Sequence, residues 1–163
     1  MHDLFVRMYP PFKTFYDKHG YYSTIKPQME FLIKSGDKLI GGGKFLWRDV
    51  KIEDRKIKLF GFGMVVDKPY QKQGIGTKLI LLNKKEAKKR KADLLYGGTH
   101  NPIVEKMLKR SGFKRLKTVV KYKDTKTKKI KKGSSSVYVF EFKKGLTDKI
   151  NKLESFYIGT GPI

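Results

Sequence analysis

The run Gln71-Lys72-Gln73-Gly74-Ile75-Gly76-Thr77 restricts this chain more than any other feature, because it sits between an apolar strand pattern and an amphipathic helix pattern. Residues 56–66 read as a largely buried strand, and Gly61 and Gly63 leave its face open. Residues 77–91 read as a helix with Leu79, Ile80, Leu81, Leu82 and Ala87 in its apolar stripe. Glycines at such a junction let backbone N–H groups turn towards a ligand without a Cβ in the way. The helix N-terminus behind them adds partial positive charge, so the ligand such a cradle suits is phosphate. The run is not a dinucleotide fingerprint, because the third glycine of G-x-G-x-x-G falls at Leu79. No G-x-x-x-x-G-K-[ST] occurs in the chain.

Around this junction the chain alternates short strands and helices. Residues 29–34 and 38–49 read as a hairpin turning at Ser35-Gly36-Asp37, with a bulge or close backbone approach at Gly41-Gly42-Gly43. A short strand follows at 94–97, a helix at 102–111 behind an Asn101 cap, and two more strands at 113–123 and 136–143. The segment between those last strands, 124–135, reads as a hairpin arm whose Lys126, Lys128, Lys129, Lys131 and Lys132 are too charged for a core and make it an exposed, mobile loop. The first 28 residues hold many aromatics, among them Phe5, Tyr9, Phe15, Tyr16, Tyr21 and Tyr22, and predict a helix over 11–20. The last 20 predict a short helix over 147–153 and a glycine-containing tail. With 163 residues, a single domain is expected: an N-terminal helical segment (1–28) packed on a core (29–143), then a C-terminal helix and tail (144–163).

Gln71, Gly74 and Gly76 fill the pattern [QR]-x-x-G-x-[GA], and this resembles the pyrophosphate loop of the GNAT superfamily of acyl-CoA-dependent N-acyltransferases. A second match supports it: Asn101 and the Gly112-Phe113 pair stand where the family begins and ends the helix after its next strand. The order of elements from 29 to 143 agrees as well. The resemblance implies an α/β fold with a mixed, mostly antiparallel sheet of six to seven strands, flanked by helices. That sheet would carry a central V-shaped split between its fourth and fifth strands. Acetyl-CoA would lie in the split, beside Met64, Val65 and Val66, with its pyrophosphate on the amides of Gln73, Gly74, Ile75, Gly76 and Thr77 and with Gln71 and Lys72 in the same loop. Asn101 would approach from the far side. The implied activity is acetyl transfer to an amine by direct attack in a ternary complex, with the Met64 N–H facing the developing oxyanion.

The chain departs from the family twice. The tyrosine acid found four residues before the Gly-Phe pair is Leu108, and the glutamate some members carry eleven residues before the loop's Gln is Phe60. His100 is a candidate general base and Tyr96 a candidate acid. The alternatives are a loop histidine that caps backbone and a strand tyrosine that packs. An acceptor amine with pKa about 10.4 is deprotonated only about once in 2,500 molecules at pH 7, a penalty near 4.6 kcal/mol. Lysines within about 8 Å would lower that penalty by disfavouring the ammonium form.

Charge bears on the acceptor. The formal net charge is +23, from 38 Lys+Arg against 15 Asp+Glu. That is more than steering of one cofactor requires. The surplus lies on Lys84, Lys85, Lys88, Lys89, Arg90 and Lys91, and on the stretch from Lys121 and Lys123 through the 126–132 lysines. It reads either as a lysine-rich composition or as a surface for a nucleic acid, with Tyr122 and Tyr138 as stacking groups. The acceptor is accordingly a nucleic acid or its bound protein, or a small amine or protein with no nucleic-acid role; the third reading is a catalytically weak binding module. There is no cysteine, no long apolar run and no metal-ligand spacing around His2 or His19. A soluble, cytoplasmic protein without a metal site is expected.

Overall fold

The computed structural model describes residues 2–19 and 25–161. The expected helix stop at Gly20, the aromatics Tyr21 and Tyr22, and the last two residues of the tail lie outside them. The chain opens with two short helices, α1 (His2–Met8) and α2 (Lys13–His19), joined by a 3-10 turn at Pro10–Phe12. Only the second of these was legible from the two prolines. Three long antiparallel strands follow: β1 (Met29–Ser35), β2 (Lys38–Ile52) and β3 (Arg55–Val66). Then come α3 (Ile75–Lys89), β4 (Leu94–Thr99) and α4 (Pro102–Arg110). The rest is β5 (Lys114–Arg115), β6 (Val119–Lys123), β7 (Ile130–Lys132), β8 (Ser136–Glu141), α5 (Leu146–Asn151) and β9 (Ser155–Thr160).

The strands form a six-stranded sheet in the order β1-β2-β3-β4-β8-β5 and a three-stranded sheet in the order β7-β6-β9. Alternation along the strands gives the main sheet two apolar faces. On one face Phe45, Phe60 and Phe62 pack with Ile80 and Ala87 of α3 and Leu108 of α4. On the other, Val50, Ile57, Leu59 and Leu94 pack with Val120, Phe156 and Ile158 of the small sheet and with Leu146 and Ile150 of α5. The far end of this second face is covered by α1 and α2, where Leu4, Phe5 and Tyr16 meet Val65. An ion pair fixes that cover: the half-exposed Arg7 donates to the buried Asp67 carboxylate at 2.8 Å, just past the end of β3.

The structure corrects three expectations and fills in a fourth. The stretch 113–123 is two strands in two sheets, because the chain crosses between them at 117–118. There the Lys117 N–H is taken by the Asn151 side chain at 2.8 Å, and the Thr118 hydroxyl donates to the Leu153 carbonyl at 2.7 Å. The hairpin arm 124–135 is present with its lysines exposed, and it contains a short strand, β7, and an ordered turn. Asp124 accepts from the backbone of Lys126 and Thr127 and from Lys131 at 2.7–3.1 Å, and β7 pairs with β6. The C-terminal tail is a strand: β9 runs parallel to β6 and buries Phe156 and Ile158. The split opens between the third and fourth strands of this chain, because what precedes Met29 in the described residues is helical and adds no strand before the hairpin.

Candidate active site

The parallel pair β3/β4 is matched over only three residue pairs, Leu59–Leu94, Phe60–Leu95 and Gly61–Tyr96. Beyond Gly61 the two strands separate. A cavity of about 760 Å³ occupies the gap, between Phe62, Gly63 and Met64 on one arm and Gly97, Gly98 and Thr99 on the other. It passes through the sheet. Val104 and Leu108 of α4 line it on the helical side; Tyr9, Phe15, Tyr16, Tyr122 and Ser135 line it on the opposite side. Side chains would block this passage at two glycines: a Cβ at Gly97 would stand 2.9 Å from the Phe62 ring, and one at Gly98 would stand 3.3 Å from Ser135.

Strand register decides which backbone groups face the gap. The Asp67 N–H donates to the Ile40 carbonyl at 2.9 Å, and the β2/β3 ladder continues from there without a shift. Antiparallel pairing alternates, so residues 65, 63 and 61 turn their peptide groups to β2 while 66, 64 and 62 turn theirs to the other side. The Lys58 carbonyl obeys the same alternation, accepting from the Asp93 N–H at the start of β4 at 3.0 Å. Met64 and Val66 therefore present N–H and C=O into the split, where β4 no longer pairs with them. Val65 points its side chain away, into the cluster under α1 and α2.

The glycine loop lies on the helical side of this gap. Gly74 is the N-cap of α3 with φ 77°, a left-handed conformation that explains glycine there, since an added Cβ would meet nothing. Gly76 is needed for a different reason. A Cβ on it would stand 3.1 Å from the Met107 sulfur, so glycine lets α3 approach α4, whose next residue, Leu108, lines the cavity. Gln71 donates from its side chain to the Val66 carbonyl at 2.9 Å, and Gln73 donates to Pro69 at 3.1 Å. The first bond ties the loop to the end of β3 and the second to the turn at Lys68–Tyr70 that follows it. Lys72, itself at φ 62°, and Thr77 are exposed beside the open amides of the first helical turn.

His100, Tyr96 and Asn101 all reach the cavity wall. His100 is exposed where the chain leaves β4. Tyr96 is 5 % exposed, and burial raises its phenol above the ordinary range against the opposing pull of nearby Arg48, so it keeps its proton at neutral pH. Asn101 caps α4, its side-chain oxygen accepting from the Ile103 N–H at 2.9 Å. Of the two departing positions, Leu108 is part of the cavity wall. Phe60 is buried on the helical face, stacked on Trp47 at 5.4 Å, and faces no open space.

Sequence reasoning missed Lys44. It stands in β2 opposite Gly63, is 6 % exposed, and lines the cavity. Its stem occupies the space that a side chain at Gly63 would fill: an added Cβ there would lie 2.8 Å from Lys44 Cε. Burial pushes its amine down to about 7, against the opposing charge of Glu30. The available signal was the alternation itself, a lysine in register with Gly63 inside a run of buried strand residues.

The two lysine-rich segments lie on opposite faces of the main sheet, α3 on the helical face and the β6/β7 hairpin on the other, so they form no single track. Tyr138 is fully buried and offers no ring for stacking. On α3, Lys84 sits 3.7 Å above the Phe140 ring and Arg90 covers Trp47 at 4.6 Å. Among the described residues no cluster of His, Cys, Asp or Glu suits a metal ion, and no helix is long and apolar enough to cross a membrane.

A sheet forced open beside a glycine-capped helix, with strand amides turned into the gap, defines the acyl-CoA N-acyltransferase class of fold. The chain belongs to the acetyltransferase (GNAT) family, whose sequence model matches residues 1–113. Acetyl-CoA is the acyl donor of that family. Many solved structures share the fold. An N-acetyltransferase from Staphylococcus aureus Mu50 is 16% identical with a TM-score of 0.51, over 69% of this chain and 66% of its own. The ribosomal-protein-S18-alanine N-acetyltransferase of Escherichia coli is 18% identical with a TM-score of 0.51, over 80% and 76%. The yncA protein of Salmonella typhimurium, solved with its cofactor acetyl-CoA, is 15% identical with a TM-score of 0.50, over 69% and 63%. The match thus spans just under two thirds of the first and last of these proteins. No curated protein matches the sequence.

Proposed function

We propose that this protein moves an acetyl group from acetyl-CoA to an amine acceptor by direct attack within a ternary complex. The observation that carries the reading is the strand edge at Met64 and Val66, past the end of the β3/β4 pairing, which turns the Met64 N–H and C=O and the Val66 N–H into the split beside the Gly74 helix cap. The residues present fit the donor: strand amides for its amide-bearing arm, the amides of residues 73–77 for its pyrophosphate, and Asn101 on the opposite wall. When bound, the donor supplies a thioester carbonyl open to an amine. The Met64 N–H donates to the oxygen on which negative charge develops, without reorganisation, because the strand holds it. Tyr96, kept protonated by burial, is the group to return a proton to the leaving sulfur; His100 stands at the rim where the acceptor enters.

The acceptor reaches the donor from the side opposite α3 and α4, through the chamber formed by Tyr9, Phe15, Tyr16 and Tyr122. No described residue lining the cavity is an Asp or Glu. A singly charged amine on an uncharged or anionic body suits such walls better than a polycation does. One observation favours an acceptor carried on a nucleic acid or a protein bound to one. The β6/β7 hairpin, with Lys121, Lys123, Lys131 and Lys132, adjoins this mouth through Tyr122 and Ser135, whereas Lys85, Lys88 and Lys89 lie on the far face.

Calorimetric titration with acetyl-CoA and thiol release with a panel of primary amines test the reading. Binding with amine-dependent thiol release supports it. Binding with no release for any amine identifies a cofactor-binding module instead. For the nucleic-acid reading, affinity for RNA or DNA should fall steeply between about 50 and 200 mM salt if several phosphates are neutralised; a flat response excludes it and leaves a small amine or a protein as acceptor.

A further inference from the structure

The proposed reaction needs a group to take the acceptor's proton, and neither family position supplies one, since Phe60 and Leu108 are apolar. Lys44 supplies it. Among the described residues it is the one buried lysine, and the route of its side chain is built into the sheet, over the bare Cα of Gly63 and alongside Met64, on the acceptor side of the split. Tyr96 lies on the same face, since Gly61 and Gly63 are two apart on β3 and Tyr96 pairs with Gly61.

We propose that Lys44 is a catalytic base of this site, accepting the proton of the acceptor ammonium group as that amine meets the thioester. The inference rests on the acetyl-transfer reading. The acceptor ammonium gives one proton to the neutral Lys44 amine. The freed nitrogen lone pair then forms the C–N bond and the C–S bond breaks with its electron pair on sulfur. Tyr96 gives its proton to the thiolate, so that a thiol leaves, the second nitrogen proton replaces the one on Tyr96, and Lys44 returns its proton to solvent. The groups that share the cavity with Lys44 suit this task. Among the described residues Glu30 on β1, which is exposed, is its carboxylate neighbour in the ladder; Tyr9, Tyr16 and Tyr122 line the same cavity, and burial holds Tyr96 neutral. His100 lies beyond them at the rim. With its amine near half-neutral at pH 7, Lys44 is a base whose strength matches the working pH.

The test is the pH dependence of kcat/KM for the acceptor in the wild type, in Lys44→Met and in Lys44→Arg, with acetyl-CoA affinity measured alongside. The wild type should rise through about pH 7 and then level, because Lys44 takes over deprotonation of the ammonium form. Both variants should bind acetyl-CoA within about 3-fold of the wild type, lose about 100-fold in rate at pH 7, and climb tenfold per pH unit towards the acceptor's own pKa. An unchanged profile in Lys44→Arg with acetyl-CoA bound overturns the base role alone. Failure of the wild type to bind acetyl-CoA overturns this inference and the acetyl-transfer reading together. A stable acetyl adduct on Lys44 after incubation with acetyl-CoA also overturns it, by making Lys44 an acceptor. A measurement independent of any variant's folding and of the acceptor is the carbon-13 titration of the Lys44 side chain in the full chain. A midpoint near 7 supports the role, and one near the ordinary lysine value overturns it.

Discussion

At the scale of single residues, Lys44 and Gly63 act as one unit: the glycine removes a side chain from the strand face and the lysine takes its place. A buried amine is costly when charged, and this sets a measurable signature. In the unfolded chain Lys44 binds its proton up to about 10.5; in the folded protein it releases it at about 7. Between those values the unfolded state holds more protons, so folding becomes more favourable as pH rises from 7 towards 10. Chemical denaturation of the wild type and Lys44→Met should therefore diverge below pH 10. The variant should be the more stable near neutrality, by roughly 3 to 5 kcal/mol in the limit of the full shift. Parallel curves would mean that the amine keeps an ordinary pKa. The sequence showed the glycines of β3 as an open face but not what fills it, because a lysine's burial is decided by which strand pairs beside it.

At the scale of elements, the loop and its helix carry most of what the sequence disclosed. Gln71, Gly74 and Gly76 placed a cradle at the start of a helix, and α3 starts at Ile75 behind a left-handed Gly74. The structure separates the two glycines. An aspartate at 76 would both crowd the cradle and press on Met107, whereas one at 74 adds a carboxylate over the first helical turn without a steric neighbour. Gly74→Asp is thus the cleaner probe of ligand binding, and Gly76→Asp should lower the unfolding midpoint as well. Expected strands failed where side chains, not propensity, end a pairing: Asn151 and Thr118 divide 113–123 between two sheets, and no apolar period in the sequence reports a side chain that caps backbone across 34 or 35 residues.

At the scale of the molecule, the least legible part was the C-terminal strand. Phe156 and Ile158 alternate correctly, but the partner of β9 is a strand 36 residues earlier at its first pair, Val119 with Ser155. A second tie is Arg48. Its guanidinium, on β2, donates to the Ile158 carbonyl at 2.9 Å and also bonds the Thr160 carbonyl, while Gly159, at φ 88°, leaves room for it. The small sheet closes the acceptor side of the cavity, so this tail holds a wall of the site. Phe156→Ala should cost about 3 to 5 kcal/mol, read from denaturant midpoints by the fluorescence of Trp47, the single tryptophan. A loss below about 1 kcal/mol would mean that the strand is not docked. Seen at this scale, the +23 charge divides between the two faces of the sheet, and only the hairpin share borders the chamber where an acceptor enters.

Acetyl transfer by this chain requires the split and its glycine loop to hold acetyl-CoA. Calorimetric titration of the wild type and Gly74→Asp, with circular dichroism to confirm that both are folded, tests this most directly. Saturable one-to-one binding by the wild type, lost or weakened at least about 100-fold in a folded Gly74→Asp, is the predicted result. Equal affinity in the two proteins, or no binding by the wild type, would contradict it.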